Sequence, residues 1–267
     1  MKKFANVFGA ATLALSLVAC GGQAGTEAAA SSDSITGTWQ LNLDSANWEN
    51  ANSTYTFADG EYTCGSCLPP YTIKADGAWQ SVDRPGVDEL KYTLVDDQTV
   101  QTASRFEGKD LGNSTWTVSE DGTTMTIDWT NLDGEEDVTG QSVLTRVAAG
   151  PENSHAASGE WAPEKVSNIS DAGMSVAYSL EGDTLSFDGN GSSWSATLGG
   201  EAVAIEGAND GSMVAAERTG DNSFKQTYTR DGEVTGVTEM TVDGDTVSVV
   251  SNDPRDGSSV TWSATRQ

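Results

Sequence analysis

Histidine, cysteine and positive charge are all scarce in this chain. Its 267 residues include one His, 3 Cys and 14 Lys or Arg, against 40 Asp or Glu, and the formal net charge is −26. Nucleic-acid binding needs clusters of basic side chains that neutralise phosphates, and the basic residues here are scattered. We therefore expect no nucleic-acid partner, and the acidic domains should be repelled by anionic lipid surfaces.

Patterns for catalysis and metal binding are also missing. A Ser-His-Asp triad would have to use His155, which lies in an irregular segment, and the chain has neither a Gly-x-Ser-x-Gly elbow nor a Gly-rich phosphate loop. The acidic stretch 131–137 leaves weak calcium binding open, although it lacks the ligand spacing of an EF-hand. We expect a non-enzymatic protein with no cofactor and no metal, and keep a carboxylate-based envelope hydrolase as an alternative.

Long apolar runs are absent except at the beginning of the chain. Lys2 and Lys3 precede an apolar run over 8–19, which is shorter than the ~20 residues of a membrane-spanning helix and is typical of a secretory signal. The run ends in Leu17-Val18-Ala19-Cys20, which resembles the lipobox of bacterial lipoproteins. The resemblance implies a signal peptide at 1–19 and a lipidated N-terminus at Cys20. With Gly21 next to it, it also implies an anchor in the outer membrane, on either its periplasmic or its surface face.

The segment 20–34 is rich in Ala, Ser and Gly and has few residues that could form a core. Such a composition does not offset the entropy lost on ordering, so it predicts a flexible tether.

Helical periodicity is absent, and alternation with period two takes its place. Met125, Ile127 and Trp129 fall on one face of a predicted strand, with polar residues on the other. Asp-Gly pairs, which suit tight hairpin turns, recur at 59–60, 76–77, 121–122, 133–134, 210–211, 231–232, 243–244 and 256–257. The chain is therefore predicted to be all-β.

One frame of residues occurs twice. Gly37-Thr38-Trp39 opens the first copy and Thr145-Arg146 closes it, whereas Gly159-Glu160-Trp161 and Thr265-Arg266 bound the second. Repeats of this length are whole domains rather than solenoid units. We predict one domain at 35–148, a linker at 149–157 and a second domain at 158–267. So many short antiparallel strands form either a small barrel or a sandwich.

A Gly-x-Trp on the first strand and an arginine after the last one resemble the lipocalin and wider calycin barrels. In that family the arginine packs across the tryptophan where the barrel closes, a cation–π contact. The resemblance implies two tandem small antiparallel β-barrels, closed by Trp39 with Arg146 and by Trp161 with Arg266. Two β-sandwiches remain the alternative.

Cys64 and Cys67 form the one reactive-looking pair in the sequence. Spare thiols of exported proteins usually oxidise, so a disulfide is expected, with free or redox-active thiols and a metal site as alternatives. The second copy carries Asp188-Gly189-Asn190-Gly191 near the matching place, so the fold should not depend on this bridge.

The 8 tryptophans must supply much of each core because Leu and Ile are few. Trp48 and Trp79 are candidates for rim positions that stack on a ligand. We expect the protein to bind a small apolar or amphipathic molecule, or an envelope protein, while its lipid holds it at the membrane. The alternative is a structural or adhesive surface module with filled barrels and no ligand.

Overall fold

The computed structural model describes residues 34–189 and 191–267. The predicted signal peptide at 1–19, the lipidation residue Cys20 and all but the last residue of the predicted tether lie outside this part.

The described chain is all-β, as predicted, and contains one short 3-10 turn at Asp171–Gly173. Its strands in the first half are β1 (Gly37–Glu49), β2 (Ser53–Ala58), β3 (Glu61–Cys64), β4 (Tyr71–Lys74), β5 (Gln80–Arg84), β6 (Val87–Leu94), β7 (Thr99–Phe106), β8 (Lys109–Val118), β9 (Thr124–Asn131) and β10 (Val138–Ala149). Those in the second half are β11 (Gly159–Ser167), β12 (Ser175–Glu181), β13 (Thr184–Gly189), β14 (Ser192–Thr197), β15 (Val203–Ala204), β16 (Met213–Arg218), β17 (Ser223–Arg230), β18 (Glu233–Asp243), β19 (Thr246–Asp253) and β20 (Ser258–Arg266).

These strands form two nearly closed antiparallel sheets of ten strands each, so the protein is a tandem β-barrel. The first barrel has the strand order β4-β3-β2-β11-β10-β9-β8-β7-β6-β5. The second has the order β14-β13-β12-β1-β20-β19-β18-β17-β16-β15. Two single β-bridges lie near the gaps: Asp76, just after β4, pairs with Thr93 of β6, and Ser193 of the end strand β14 pairs with Glu206, just after the end strand β15.

The first strand of each repeat lies in the barrel of the other repeat. β11, which opens the second repeat, pairs with β10 and β2 in the first barrel. β1, which opens the first repeat, pairs with β20 and β12 in the second barrel. The two barrels therefore do not follow the predicted division into 35–148 and 158–267 at these strands, and the predicted linker leads into a strand of the same sheet.

Strand formation follows from the alternation in the sequence. In β19, Val247 and Val249 are buried while Thr246 and Ser248 are exposed, so every second side chain joins the core. Tight turns follow from residues that accept positive φ: Asp59-Gly60 has φ of 54° and 77°, as a type I′ hairpin turn requires.

Each barrel has its own core. The second encloses mainly aliphatic side chains around Trp39, including Val214, Met240 and Val242. The first is aromatic, with Tyr62, Tyr92 and Trp116 completely buried. No helix in the described residues is both long and apolar enough to cross a bilayer.

Candidate functional site

An arginine and a tryptophan meet at the closure of each barrel, and we call this pair the latch. The Arg146 guanidinium lies 4.0 Å from the centre of the Trp161 ring, and that of Arg266 lies 4.3 Å from the Trp39 ring. The four predicted closure residues thus form two contacts, but with exchanged partners. The expected pairings of Trp39 with Arg146 and of Trp161 with Arg266 are wrong, because each tryptophan travels with the exchanged strand.

The two latches have the same pattern of hydrogen bonds as well as the same stacking. Arg146 donates to the carbonyl oxygens of Ala156 and Ser158, both at 2.6 Å, and to Gly122. Arg266 donates to the carbonyls of Ser34 at 2.6 Å, of Gly244 at 3.4 Å, and of Thr36. The Arg146 side chain thereby ties the end of the linker to the barrel, and Arg266 does the same for the end of the tether.

Steric constraints explain why each Gly-x-Trp motif begins with glycine. Gly37 and Gly159 have φ of +146° and +137°, a region that side chains rarely adopt. A Cβ on either would also lie 2.8 Å or 2.7 Å from the arginine Nη1 of its latch. The motif is therefore explained by the closure of the barrel.

The interior of the first barrel is filled by aromatic rings. Tyr62 and Tyr92 stack with ring centres 4.0 Å apart, and Trp116 meets both edge-on. Burial raises the pKa of both tyrosines well above the usual value. The Tyr62 hydroxyl is buried and has no hydrogen-bond partner within the described chain. These rings fill the space that a ligand would need.

A short loop covers one end of this aromatic core. Cys64 and Cys67 form a disulfide at the start of the loop. Arg84 donates to the carbonyl oxygens of Leu68 at 3.4 Å and Pro69 at 2.9 Å, and its guanidinium lies 4.4 Å from the centre of the Tyr71 ring. The loop is therefore held from two sides, by the disulfide and by the arginine.

His155 makes hydrogen-bonding contacts in the first barrel through both of its ring nitrogens. Its Nδ1 accepts a hydrogen bond from the Ala157 amide at 3.1 Å, and its Nε2 lies 2.7 Å from the Asp96 carbonyl oxygen. A carbonyl can only accept, so Nε2 donates this hydrogen bond. The ring also lies 5.8 Å from Phe57, which places the only histidine among barrel contacts.

The two predicted rim tryptophans differ in their surroundings. Trp79 is half-buried, with the Arg105 guanidinium 3.9 Å and the Lys91 ammonium 4.9 Å from its ring centre. Its ring is thus already in contact with two cations of the chain. Trp48 is half-buried on β1, opposite Val260 of β20. Neither lines the pocket described below.

The acidic stretch 131–137 meets the second barrel. Asp133 accepts from the Lys109 ammonium at 2.9 Å and from the Asn209 amide at 3.0 Å. Three His, Cys, Asp or Glu side chains placed to hold a metal ion occur nowhere in 34–189 and 191–267. Asp133 therefore has contacts that account for its position at the junction of the barrels.

The second barrel has a pocket of about 490 Å³ at its open seam. We call it the seam pocket, and its lining combines aromatic, hydroxyl and acidic residues: Ala177, Tyr178, Ser179, Ser186, Phe187, Asp188, Ser193, Trp194, Ser195, Val203, Ala204 and Glu206. They come from β12, β13 and β14 and from the segment that includes β15. Sequence reasoning missed this site.

An aromatic row runs across the three strands at the pocket. Tyr178 and Phe187 have ring centres 5.2 Å apart, and Phe187 stacks on Trp194 at 5.8 Å. Behind the row, the buried Gln226 accepts from the Tyr228 hydroxyl at 2.6 Å and its amide lies 3.4 Å from the Tyr178 hydroxyl. Burial raises the pKa of Tyr178 to about 12.

Strand register relates this row to the first barrel. Tyr55 pairs with Cys64 and Cys64 with Tyr71, just as Tyr178 pairs with Phe187 and Phe187 with Trp194. The two rows occupy equivalent places, since Gly159 pairs with Tyr55 and Gly37 with Tyr178. One row is covered by the disulfide loop, and the other borders the seam pocket.

No family model, curated protein or solved structure matches this chain. The fold and the latches define a tandem β-barrel protein with strands exchanged between its repeats.

Proposed function

We propose that the protein is a lipid-anchored envelope protein whose second barrel binds a small amphipathic molecule. The observation that carries the proposal is the seam pocket of about 490 Å³, whose lining residues include Tyr178, Phe187 and Trp194 as well as several serines. Small-molecule sites typically have this mixture of aromatic walls and a few polar groups. In this proposal the first barrel is a scaffold, because its equivalent row is covered and its interior is filled.

The proposed class is a lipocalin-like binding protein without enzymatic activity. The cation–π latch at each closure supports the likeness, since an arginine stacks on a Gly-x-Trp tryptophan in both barrels, although the partners are exchanged between the repeats.

The proposed anchor is Cys20 in the outer membrane, as the lipobox-like sequence implies. The first described residues support a direct mechanical link: Arg266 binds the carbonyls of Ser34 and Thr36. In this proposal the tether would enter the second barrel at its latch.

A structural or adhesive module is the second candidate, and the first barrel favours it. The fully buried Tyr62, Tyr92 and Trp116 fill its interior. The first barrel would therefore contribute stability rather than bind a ligand. If the seam pocket holds no ligand either, the whole protein is such a module.

Native mass spectrometry of the protein purified from its own envelope tests binding. We expect a bound small molecule that is lost in Ser195→Phe, which fills the pocket from β14. The matched control is Thr72→Phe, because the Thr63–Thr72 hydroxyl pair at 2.8 Å has the same place on the first barrel as Ser186–Ser195 at 2.8 Å. A bare protein mass, or equal loss of ligand in both variants, would favour the structural module.

The anchor is tested separately with Cys20→Ala. We expect the wild-type protein to carry acyl chains and to fractionate with the outer membrane, and the variant to be released in soluble form. Wild-type protein without acyl mass would refute the anchor and leave the binding proposal standing.

A further inference from the structure

The closing strand of the second barrel reaches its sheet from a distant part of the chain. Nine of the ten strands of that sheet, β12 to β20, follow one another along the chain. The tenth, β1, lies between β12 and β20 but is connected to β2 of the first barrel through residues 50–52. We call this connection the hinge. β1 therefore occupies its place in the second barrel as a separate piece of chain.

The second barrel recognises β1 through residues that all precede the hinge. Ile35 and Trp39 are completely buried in its core. The backbone of β1 pairs with β12 over Gly37–Gln40 and with β20 on its other side, and the Gln267 amide donates to the Thr38 carbonyl at 2.9 Å. Because the hinge takes no part in these contacts, the β1 of a second copy of this chain would make the same ones.

The hinge is short, and it holds a residue in a backbone conformation that side chains rarely adopt. Asn50 has a φ of +52°, in the left-handed region that is unfavourable for most residues. Short hinges under strain favour exchange of an element between copies, because the hinge then extends while the other contacts form again with the partner. β11 differs, since it follows β10 of its own sheet through residues 150–158.

We propose that two copies of this chain exchange β1 reciprocally, so that each β1 closes the second barrel of the other copy. In the resulting dimer the latch of Arg266 and Trp39 joins the two copies, whereas the latch of Arg146 and Trp161 stays within each chain. The dimer extends to two chains the exchange that the fold already makes between its two repeats. The proposal does not depend on the proposed binding function.

A disulfide engineered between β1 and β12 distinguishes exchanged strands from any other dimer. Thr38 and Ala177 are direct cross-strand partners, so Thr38→Cys with Ala177→Cys should form a bridge. This bridge lies within one chain in the monomer and between two chains in the exchanged dimer. The Cys20→Ala protein is the background, since its other cysteines, Cys64 and Cys67, are already paired.

Refolding at two protein concentrations, followed by light scattering and a non-reducing gel, measures the exchange. At micromolar concentration we expect mainly monomer with the engineered bridge inside one chain. At near-millimolar concentration we expect a dimer with bridges between chains, because exchange between copies depends on protein concentration.

Two substitutions at the hinge should move this equilibrium in opposite directions. Asn50→Gly removes the strain and should raise the dissociation constant of the dimer about tenfold, since each dimer contains two hinges. Asn50→Pro cannot adopt a positive φ and should make the dimer the main species at micromolar concentration. The matched control is Asn153→Gly, at a φ of +63° in the connection from β10 to β11, which should leave the dissociation constant unchanged.

Two results would overturn the proposal. A dimer whose engineered bridges all stay within single chains would mean that the copies associate without exchanging β1. A monomer at both concentrations, or equal dissociation constants in Asn50→Gly and the unsubstituted hinge, would mean that the hinge does not drive exchange. Both tests remain decisive if Asn50→Pro does not fold.

Discussion

Arg146 and Arg266 each combine stacking with hydrogen bonding in one side chain. A planar guanidinium can lie on an indole and still donate in its own plane to several carbonyls, which a lysine ammonium cannot do. Burial lowers the pKa of Arg146 from its usual value, but so high a pKa leaves the group charged. The latch therefore depends on arginine chemistry in particular.

Replacing Arg146 by Lys should lower the free energy of unfolding of the first barrel by about 2–4 kcal/mol, because one ammonium cannot stack on the indole and also donate to the carbonyls of both Ala156 and Ser158. Guanidinium denaturation followed by tryptophan fluorescence measures the change. The control is Asp245→Asn, which removes an exposed ion pair with Arg266 at 3.3 Å and should cost less than about 1 kcal/mol. Similar small effects in both variants would mean that the latch does not hold the barrel closed.

The latch residues could be predicted from the sequence, but their partners could not. Trp39 and Trp161 have the same local sequence frame, and so have Arg146 and Arg266. Either tryptophan fits either arginine, because the carbonyls that complete the latch also come in equivalent positions. The choice depends on which strand the chain places between the first and last strands of each sheet, and this is a property of the assembled protein.

Among the elements, most strands follow directly from alternation and turn chemistry. The starts of β3, β4 and β7 coincide with changes from turn residues to alternating ones, as at Asp59-Gly60 before β3. The seam pocket could not be predicted in this way. It arises because the two-residue strand β15 leaves the sheet edge incomplete, and the length of an edge strand depends on packing rather than on local propensity.

The disulfide loop is the element that distinguishes the covered row from the open one. Joint replacement of Cys64 and Cys67 by Ser should lower the unfolding free energy of the first barrel by about 2 kcal/mol, the loop-closure entropy of so short a loop. Differential scanning calorimetry should show this loss in the first barrel alone, since the second has no bridge at the matching place. An equal shift of both barrels would show that they unfold as one unit.

At the scale of the whole molecule, all six tyrosines have a pKa that is raised by burial. Burial raises the pKa of Tyr55, Tyr62, Tyr71, Tyr92, Tyr178 and Tyr228. A buried phenol whose pKa is higher in the folded state stays neutral where the unfolded one ionises. Stability is then unaffected below the ordinary pKa near 10 and falls as the pH rises above it.

For Tyr178, whose pKa is raised to about 12, the loss between about pH 10 and pH 12 is roughly 2–3 kcal/mol. Absorbance at 295 nm should therefore show little phenolate at pH 10 in the native protein, followed by a steep rise that coincides with unfolding by circular dichroism. Gradual ionisation near pH 10 with retained structure would contradict the burial of these rings.

The exchange of strands determines which fragment of the chain we expect to fold alone. The first barrel is continuous from β2 to β11, so a fragment of residues 51–170 contains its complete sheet and its complete latch of Arg146 and Trp161. This fragment should unfold cooperatively, with the near-ultraviolet circular dichroism of packed aromatic rings. The shorter fragment 51–158 lacks β11 and the latch tryptophan, and it should not reach that state.

The fragment 35–148 provides the opposing test, because it has the boundaries of the sequence repeat. In the exchanged arrangement this fragment lacks β11 and carries β1, which belongs to the second barrel. Its free energy of unfolding should therefore be lower than that of 51–170 by at least the contribution of one Arg–Trp latch. Urea denaturation of the two fragments measures the difference. If 35–148 were as stable as 51–170, β1 would be able to replace β11 within its own repeat, and Trp39 would then find Arg146 rather than Arg266.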